Sequence, residues 1–275
     1  MEGSLLERRK QVPDPAYRPS CDRPLQRVRR RGTSVWDIDG REYLGAYNNL
    51  PWVRNCHPKV VAALSSQVAE MNTRTRYLHE IVVDYGKKSV ATIPHGPPQV
   101  MFTCTGSEAN DLALRVACAV SACSAGGTAG ISRRFRPCQP LLQYLWRHPV
   151  SAAVKRAGLL VIEDIGLMGN ARDVGSYILT VLQALAPRHV HVGDVCAAGH
   201  YATIELVEDC ASRSPSAPMA TRVIKQLREN NVLVGICGTV ANRLKIRPPL
   251  YFSFADATRL IETPDLCRTA QQLEH

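Results

Sequence analysis

The chain has 275 residues, 45% of them hydrophobic and 21% charged, which excludes a disordered polymer and leaves room for a sizeable core in one large or two modest domains. Its net charge is +10, from 34 Lys and Arg against 24 Asp and Glu. That balance permits contact with phosphates, nucleic acid or anionic surfaces without deciding among them.

In chain order, the pattern predicts a first helix near Leu5–Gln11 inside a basic, Pro-interrupted segment covering 1–32. Val35 to Leu44 reads as a β-hairpin, because two apolar-alternating runs flank Asp39-Gly40. Pro58 opens a helix with apolar positions at Val60, Val61, Leu64 and Val68, and a second helix covers Leu78–Ala91. Gln99–Cys104 reads as a short buried strand, Thr105-Gly106-Ser107 as a turn, and Glu108–Val120 as a helix with Ala109, Leu112, Ala113, Val116 and Ala117 on one face. Residues 121–148 carry no clear period. Helices are then expected at Val150–Glu163 and Gly166–Ala186, extended chain at His191–Val207, an amphipathic helix at Met219–Asn230, short strands at Asn231–Ile236 and Leu244–Arg247, and a last helix at Phe254–Leu273. Helices followed by paired strands indicate an α+β C-terminal domain.

The arginines cluster between Arg8 and Arg31 and again at Arg133, Arg134, Arg136 and Arg147. No aromatic ladder interleaves with them, so the reading is a solvated surface and nucleic acid is disfavoured. Ten cysteines are scattered with no CxxC and no Cys/His spacing that suits zinc, so no metal site is expected. Reduced thiols, the absence of a secretory leader pattern and the lack of any bilayer-length apolar run lead to the expectation of a cytoplasmic protein without membrane contact.

The strand–turn–helix unit at 99–120 is the most informative feature. Backbone N–H groups at a helix start are unpaired and sit at the positive end of the helix dipole. A glycine admits close approach and a serine adds a donor, so Gly106 and Ser107 can cradle a phosphate. A plain helix cap at Thr105 or Ser107 is the alternative on spacing alone.

Cys104-Thr105-Gly106-Ser107-Glu108-Ala109-Asn110-Asp111-Leu112-Ala113-Leu114-Arg115 resembles the Gly-Ser-Glu-Ala-Asn motif of the class-III aminotransferases, which use pyridoxal phosphate. Upstream, Trp36 to Leu44, Tyr47-Asn48-Asn49, Cys56-His57-Pro58 and Asn72 to His79 resemble the same family's N-terminal segment. Downstream, Pro149-Val150-Ser151, Gly166 to Ala171, Gly193-Asp194-Val195, Ile204 to Val207 and Leu244 to Leu250 resemble its C-terminal domain. The branch most similar is the alanine–glyoxylate aminotransferase 2-like one, which includes phospho-lyases. The resemblance covers about 1–117 and 149–275. It implies an α/β, fold-type-I PLP-transferase-like protein with a truncated large domain and an α+β C-terminal small domain. The expected parts are an N-terminal segment at 1–80, a remnant of the PLP-binding domain at 81–148, and a C-terminal domain at 149–275. It also implies transamination of an amino acid or amine, pyridoxal phosphate held at its phosphate by Gly106 and Ser107, and a homodimer.

The chain departs from that pattern in its middle. No lysine occurs between Ser89 and Val154, and no Asp or Glu from Leu112 to Ile162. Neither a Schiff-base lysine nor a carboxylate for the pyridine nitrogen lies in the stretch joining the matched parts, so no catalytic residue is assigned. Several βα units of about 30 residues each would be needed there. Lys155 is the nearest lysine, but reads as a solvated helix residue. Lys245 lies near where related enzymes carry a substrate-carboxylate arginine; a lysine at a strand edge is the alternative. Smaller departures are Arg54-Asn55, Gly45 and Cys196-Ala197, and His57 reads as a helix-start residue. The expectation is a class-III aminotransferase impaired in its chemistry, with a non-catalytic pseudoenzyme or deletion fragment, or a basic anion- or nucleic-acid-binding protein, as alternatives.

Overall fold

The computed structural model describes residues 5–11, 24–47, 53, 55–73, 77–94, 99–103, 105–124, 148–209 and 211–263. They form two compact units, one made of 1–55 with 169–275 and the other of 56–168.

The first unit is built on two four-stranded sheets. After α1 (Leu5–Gln11), the strands β1 (Arg27–Arg31), β2 (Ser34–Asp37) and β3 (Glu42–Gly45) run antiparallel in turn. The turn between β2 and β3 places Gly40 at φ +79°, a conformation glycine adopts without strain. The expected hairpin is therefore present. Its outer partner was not foreseen: β6 (Val232–Leu233) pairs in parallel with β3, Leu44 opposite Val232. The N-terminal strands thus belong to the same compact unit as the C-terminal part of the chain.

The second sheet is antiparallel, in the order β4 (Val192–Ala198), β5 (Tyr201–Leu206), β8 (Arg243–Ile246), β7 (Gly235–Cys237). The expected extended run at 191–207 is a hairpin folded back at Gly199 and His200. Alternate residues Ala202, Ile204, Leu206, Leu244 and Ile246 are buried on one face. Against them pack α6 (Leu167–Leu185) through Val174, Ile178 and Leu182, α7 (Ala217–Glu229) through Ala220, Val223 and Leu227, and α8 (Phe254–Glu262) through Ala257, Leu260 and Ile261. The spacings of three and four place each set on one helix face. Ser253 caps α8: its hydroxyl oxygen accepts from the Asp256 N–H at 3.1 Å, and the Asp256 carboxylate accepts from the Ser253 N–H at 3.0 Å. Gly175 marks the tightest approach in this unit, since a Cβ there would stand 2.2 Å from the Gly199 carbonyl oxygen.

The second unit is helical in its regular elements: α2 (Pro58–Glu70), α3 (Glu80–Ala91), α4 (Gly106–Ser124) and α5 (Pro149–Asp164). Helix α5 is its centre, burying Pro149, Ala152, Ala153 and Val161, and it packs on α2 and α3. Two exposed ion pairs tie these helices, Lys59 to Asp164 at 2.7 Å and Lys88 to Glu163 at 2.5 Å. The ring of Tyr85 stacks on Phe102 at 4.9 Å.

The strand expected at 99–104 is not formed. Residues 99–103 are irregular, and Cys104 lies outside the described residues. A short strand in a parallel sheet is held by neighbours on both sides. Among the described residues the parallel pairing is limited to β3 with β6 and an isolated bridge between Tyr47 and Arg247, none of it near 99–103 in sequence. The segment 125–147, which includes Arg133, Arg134, Arg136 and Arg147, lies outside the described residues, as does the end of the last helix expected beyond residue 263.

Candidate functional site

Thr105 is the N-cap of α4. Its hydroxyl oxygen accepts from the Glu108 N–H at 3.1 Å, and the Glu108 carboxylate accepts from the Thr105 N–H at 3.0 Å. This reciprocal pair satisfies the Glu108 N–H and settles the cap at Thr105 rather than Ser107. It leaves the N–H groups of Gly106 and Ser107 at the positive end of a 19-residue helix. Both residues are exposed, and a Cβ at Gly106 would meet nothing within 4 Å. The cap and the cradle are compatible, because the cap uses Thr105 and Glu108 while the cradle needs only the two residues between them.

The helix behind this turn is poorly covered. Leu114 and Val116 are exposed, and of the apolar face expected at 109–117 only Leu112 is half-buried. Lys155, on α5 in the same unit, sits with its Nζ 5.9 Å from the Tyr85 ring. The backbone carbonyl of His57 accepts from the N–H groups of Val60 and Val61, as a residue opening a helix should.

Lys245 lies in the first unit, on β8. That strand is flanked by β5 and β7, so the position is interior to the sheet and not at its edge as one reading of the sequence had it. The pairing of β8 on both sides depends on β7, three residues long, which the apolar pattern merged with β6. Lys245 points to the sheet face opposite the core, is half-buried, and has its Nζ 5.7 Å from the Tyr47 ring and 5.9 Å from the Tyr201 ring. Tyr47 lies over Gly235, where a Cβ would come within 3.0 Å of its ring. The glycine is what lets the aromatic ring settle beside the ammonium.

The same face carries an ion pair and a thiol. Arg243 donates to Glu205 at 3.0 and 3.2 Å, and that hydrogen bond raises the pKa of the guanidinium. Cys196 Sγ donates to Asp194 at 3.0 Å, and that carboxylate pushes the thiol pKa up, which makes Cys196 a poor nucleophile. Among the described residues Lys245 has aromatic neighbours and no carboxylate in ion-pair contact.

Comparison with known proteins supplies the family. The class-III aminotransferase model matches residues 17–131 and 125–264. The chain belongs to the class-III aminotransferase family. The alanine–glyoxylate aminotransferase 2-like protein of Drosophila melanogaster is 40% identical over 94 residues, 34% of this chain and 19% of that protein. Ethanolamine-phosphate phospho-lyase homolog 1 of Caenorhabditis elegans is 36% identical over 96 residues, 35% of this chain and 20% of that protein. The match therefore spans about a fifth of these relatives' length. The structure of a phospholyase from Arthrobacter in complex with phosphoethanolamine superposes with a TM-score of 0.84 at 22% identity, across 96% of this chain and 99% of that one. The fold is that of the fold-type-I transaminases, as the sequence motifs implied, and pyridoxal phosphate is the cofactor that family membership implies.

The residues fit that cofactor at one end only. At the phosphate end, Gly106 and Ser107 present backbone N–H groups at a helix start, the chemistry that a phosphate takes, beside the Thr105 cap. The ring end needs a lysine and a carboxylate, and the sequence offers neither between Leu112 and Val154.

Proposed function

We propose that this chain is a class-III aminotransferase by descent that keeps an anion-binding turn and the small domain but is impaired in transamination. The observation that carries this reading is the run from Ser89 to Val154 without a lysine, on both sides of the Gly106–Ser107 turn suited to the cofactor's phosphate. Pyridoxal phosphate serves as an electron sink for an amine carbon only when its aldehyde is held by a lysine that also moves the proton. Without that lysine the exchange loses its nucleophile and its base. In this reading 1–80 is the N-terminal segment, 81–148 the remnant of the cofactor domain and 149–275 the C-terminal domain. Gly106 and Ser107 bind the phosphate, no residue is catalytic, and Lys245, between its two tyrosines, receives a substrate carboxylate.

The exposed apolar side chains Val61, Leu64, Val68, Leu114 and Val116 on α2 and α4 support the same reading. Helices of this family's fold class cover a sheet, and an apolar helix face without its sheet stays wet. The substrate in intact relatives is an amino acid or amine, the assembly a homodimer, and the compartment cytoplasmic; these are parts of the proposal. Among the described residues no helix is long and apolar enough to cross a membrane, and one relative, from Arabidopsis thaliana, is named as mitochondrial.

The test is an amino-donor assay with the purified full chain, added cofactor, and alanine with a panel of keto acids or phosphoethanolamine. The proposal predicts no turnover above the cofactor alone. Turnover that saturates with amino donor overturns it. Sequencing the genomic DNA across 118–149 checks the junction itself: an uninterrupted coding sequence supports the impaired enzyme, and a missing stretch supports the fragment reading.

A further inference from the structure

β1 is the outer strand of its sheet, and four of its five residues are arginines. Charge on an edge strand commonly serves to block sheet-to-sheet pairing, and exposed Arg27, Arg29 and Arg31 suit that role. Arg29 is also occupied, its guanidinium carbon 4.2 Å above the Trp36 ring. Arg30 is different.

A bulge between Arg27 and Arg29 resets the alternation of the strand. Arg30 is registered with Val35 and Arg27 with Asp37, two residues further along β2, so Arg27 and Arg30 share one face. That face is the buried one: Val35 is 0% exposed and its partner Tyr43 is 4% exposed. Arg30 is half-buried there, and its Nε is buried without a hydrogen-bond partner. Burial first, and the charge of Arg27 second, lower the pKa of its guanidinium. The carboxylate on that face is committed elsewhere. Asp37 accepts from the Tyr43 hydroxyl at 2.9 Å and from the N–H groups of Asp39 and Arg41 at 3.1 and 2.9 Å. Among the described residues neither Arg27 nor Arg30 enters an ion pair.

Holding a guanidinium in this setting with an unsatisfied N–H is costly, and an oxyanion accepting from its fork offsets that cost. Two positive charges on one face match a doubly charged anion better than a carboxylate. We propose that Arg27 and Arg30 form a binding site for a tetrahedral oxyanion of the phosphate or phosphate-ester class, built from different residues than the Gly106–Ser107 turn.

The experiment is a thermal-shift titration of the full chain with inorganic phosphate, against chloride at matched ionic strength, with phosphoserine in parallel to separate the free ion from an ester. Binding raises the melting temperature by mass action. Arg30→Met keeps a buried stem and removes the charge, and is expected to fold at least as stably as the parent while losing about tenfold in phosphate affinity, the loss of one charge-assisted hydrogen bond. Arg27→Gln, at an exposed position, gives the second reading should Arg30→Met fail to fold. Ser107→Asp repels an anion from the other turn and is expected to leave this response in place. A response to either probe that falls in Arg30→Met or Arg27→Gln supports the site. A response unchanged in both variants, matched by chloride, or abolished by Ser107→Asp overturns it, as does no response to either probe.

Discussion

The two compact units differ in what covers their helices. In the first, α6, α7 and α8 bury Ile178, Val223 and Leu260 against two sheets, with Phe252 at 0% exposure within the same core. In the second, α2 and α4 carry apolar residues at helical spacing but are less sharply amphipathic, and Leu64, Val68, Leu114 and Val116 are exposed. The difference teaches that an apolar stripe specifies a helix but not what covers it. In the first unit the stripe meets a sheet; in the second the helices form and part of their apolar surface stays in water.

The largest effects should therefore lie in the first unit. Phe252→Ala is expected to destabilise the chain by about 4 kcal/mol, by transfer and cavity terms together. Leu114→Ala, 68% exposed in the second unit, should cost no more than about 0.5 kcal/mol. Chemical denaturation of both variants measures the contrast, and equal losses would erase it. Gly175→Ala comes next, at about 2–3 kcal/mol, since its Cβ would meet backbone at 2.2 Å and backbone cannot rotate away. Thr105→Ala removes the α4 cap and should cost about 1 kcal/mol of local helix stability, read as faster amide exchange at Ser107 and Glu108.

A pH series gives the smallest effect. His200 is buried at the tip of the β4–β5 hairpin, edge-on to Phe252 at 6.2 Å, and burial lowers its pKa from the ordinary 6.5. The folded state holds it neutral while the unfolded chain binds a proton near pH 6.5. Stability is therefore complete above that pH and is lost as pH falls below it. The melting temperature should drop between pH 7.5 and 5.5 by more in the parent than in His200→Phe. Parallel curves would assign the acid sensitivity elsewhere.

Local signals carried most of the elements. Asp39-Gly40 announced the β2–β3 hairpin, Pro58 and Pro149 opened α2 and α5, and Leu5–Gln11 is helical at the bounds the pattern indicated. Three features were not legible because they depend on contacts far along the chain. A strand was expected at Asn231–Ile236, but the parallel pairing of β6 with β3, some 188 positions upstream, is revealed by no local period. One of the two readings of Lys245 put it at a strand edge, because β7, the strand that makes β8 interior, is three residues long. The run at 99–103 has strand composition without strand structure, because β propensity is a response to neighbours more than a property of the segment. At the candidate site, the motif identified Gly106 and Ser107; the reciprocal Thr105–Glu108 cap was half legible, as one of two spacings.

The proposed function holds that a phosphate corner persists without the amine chemistry. The most direct test is to saturate the full chain with pyridoxal phosphate, reduce with borohydride and map the modified lysines by mass spectrometry. The account predicts sparse, substoichiometric labelling spread over surface lysines such as Lys59, Lys87 and Lys225. Stoichiometric labelling of one lysine, Lys155 or any other, with visible absorbance that an amino donor bleaches, would contradict it.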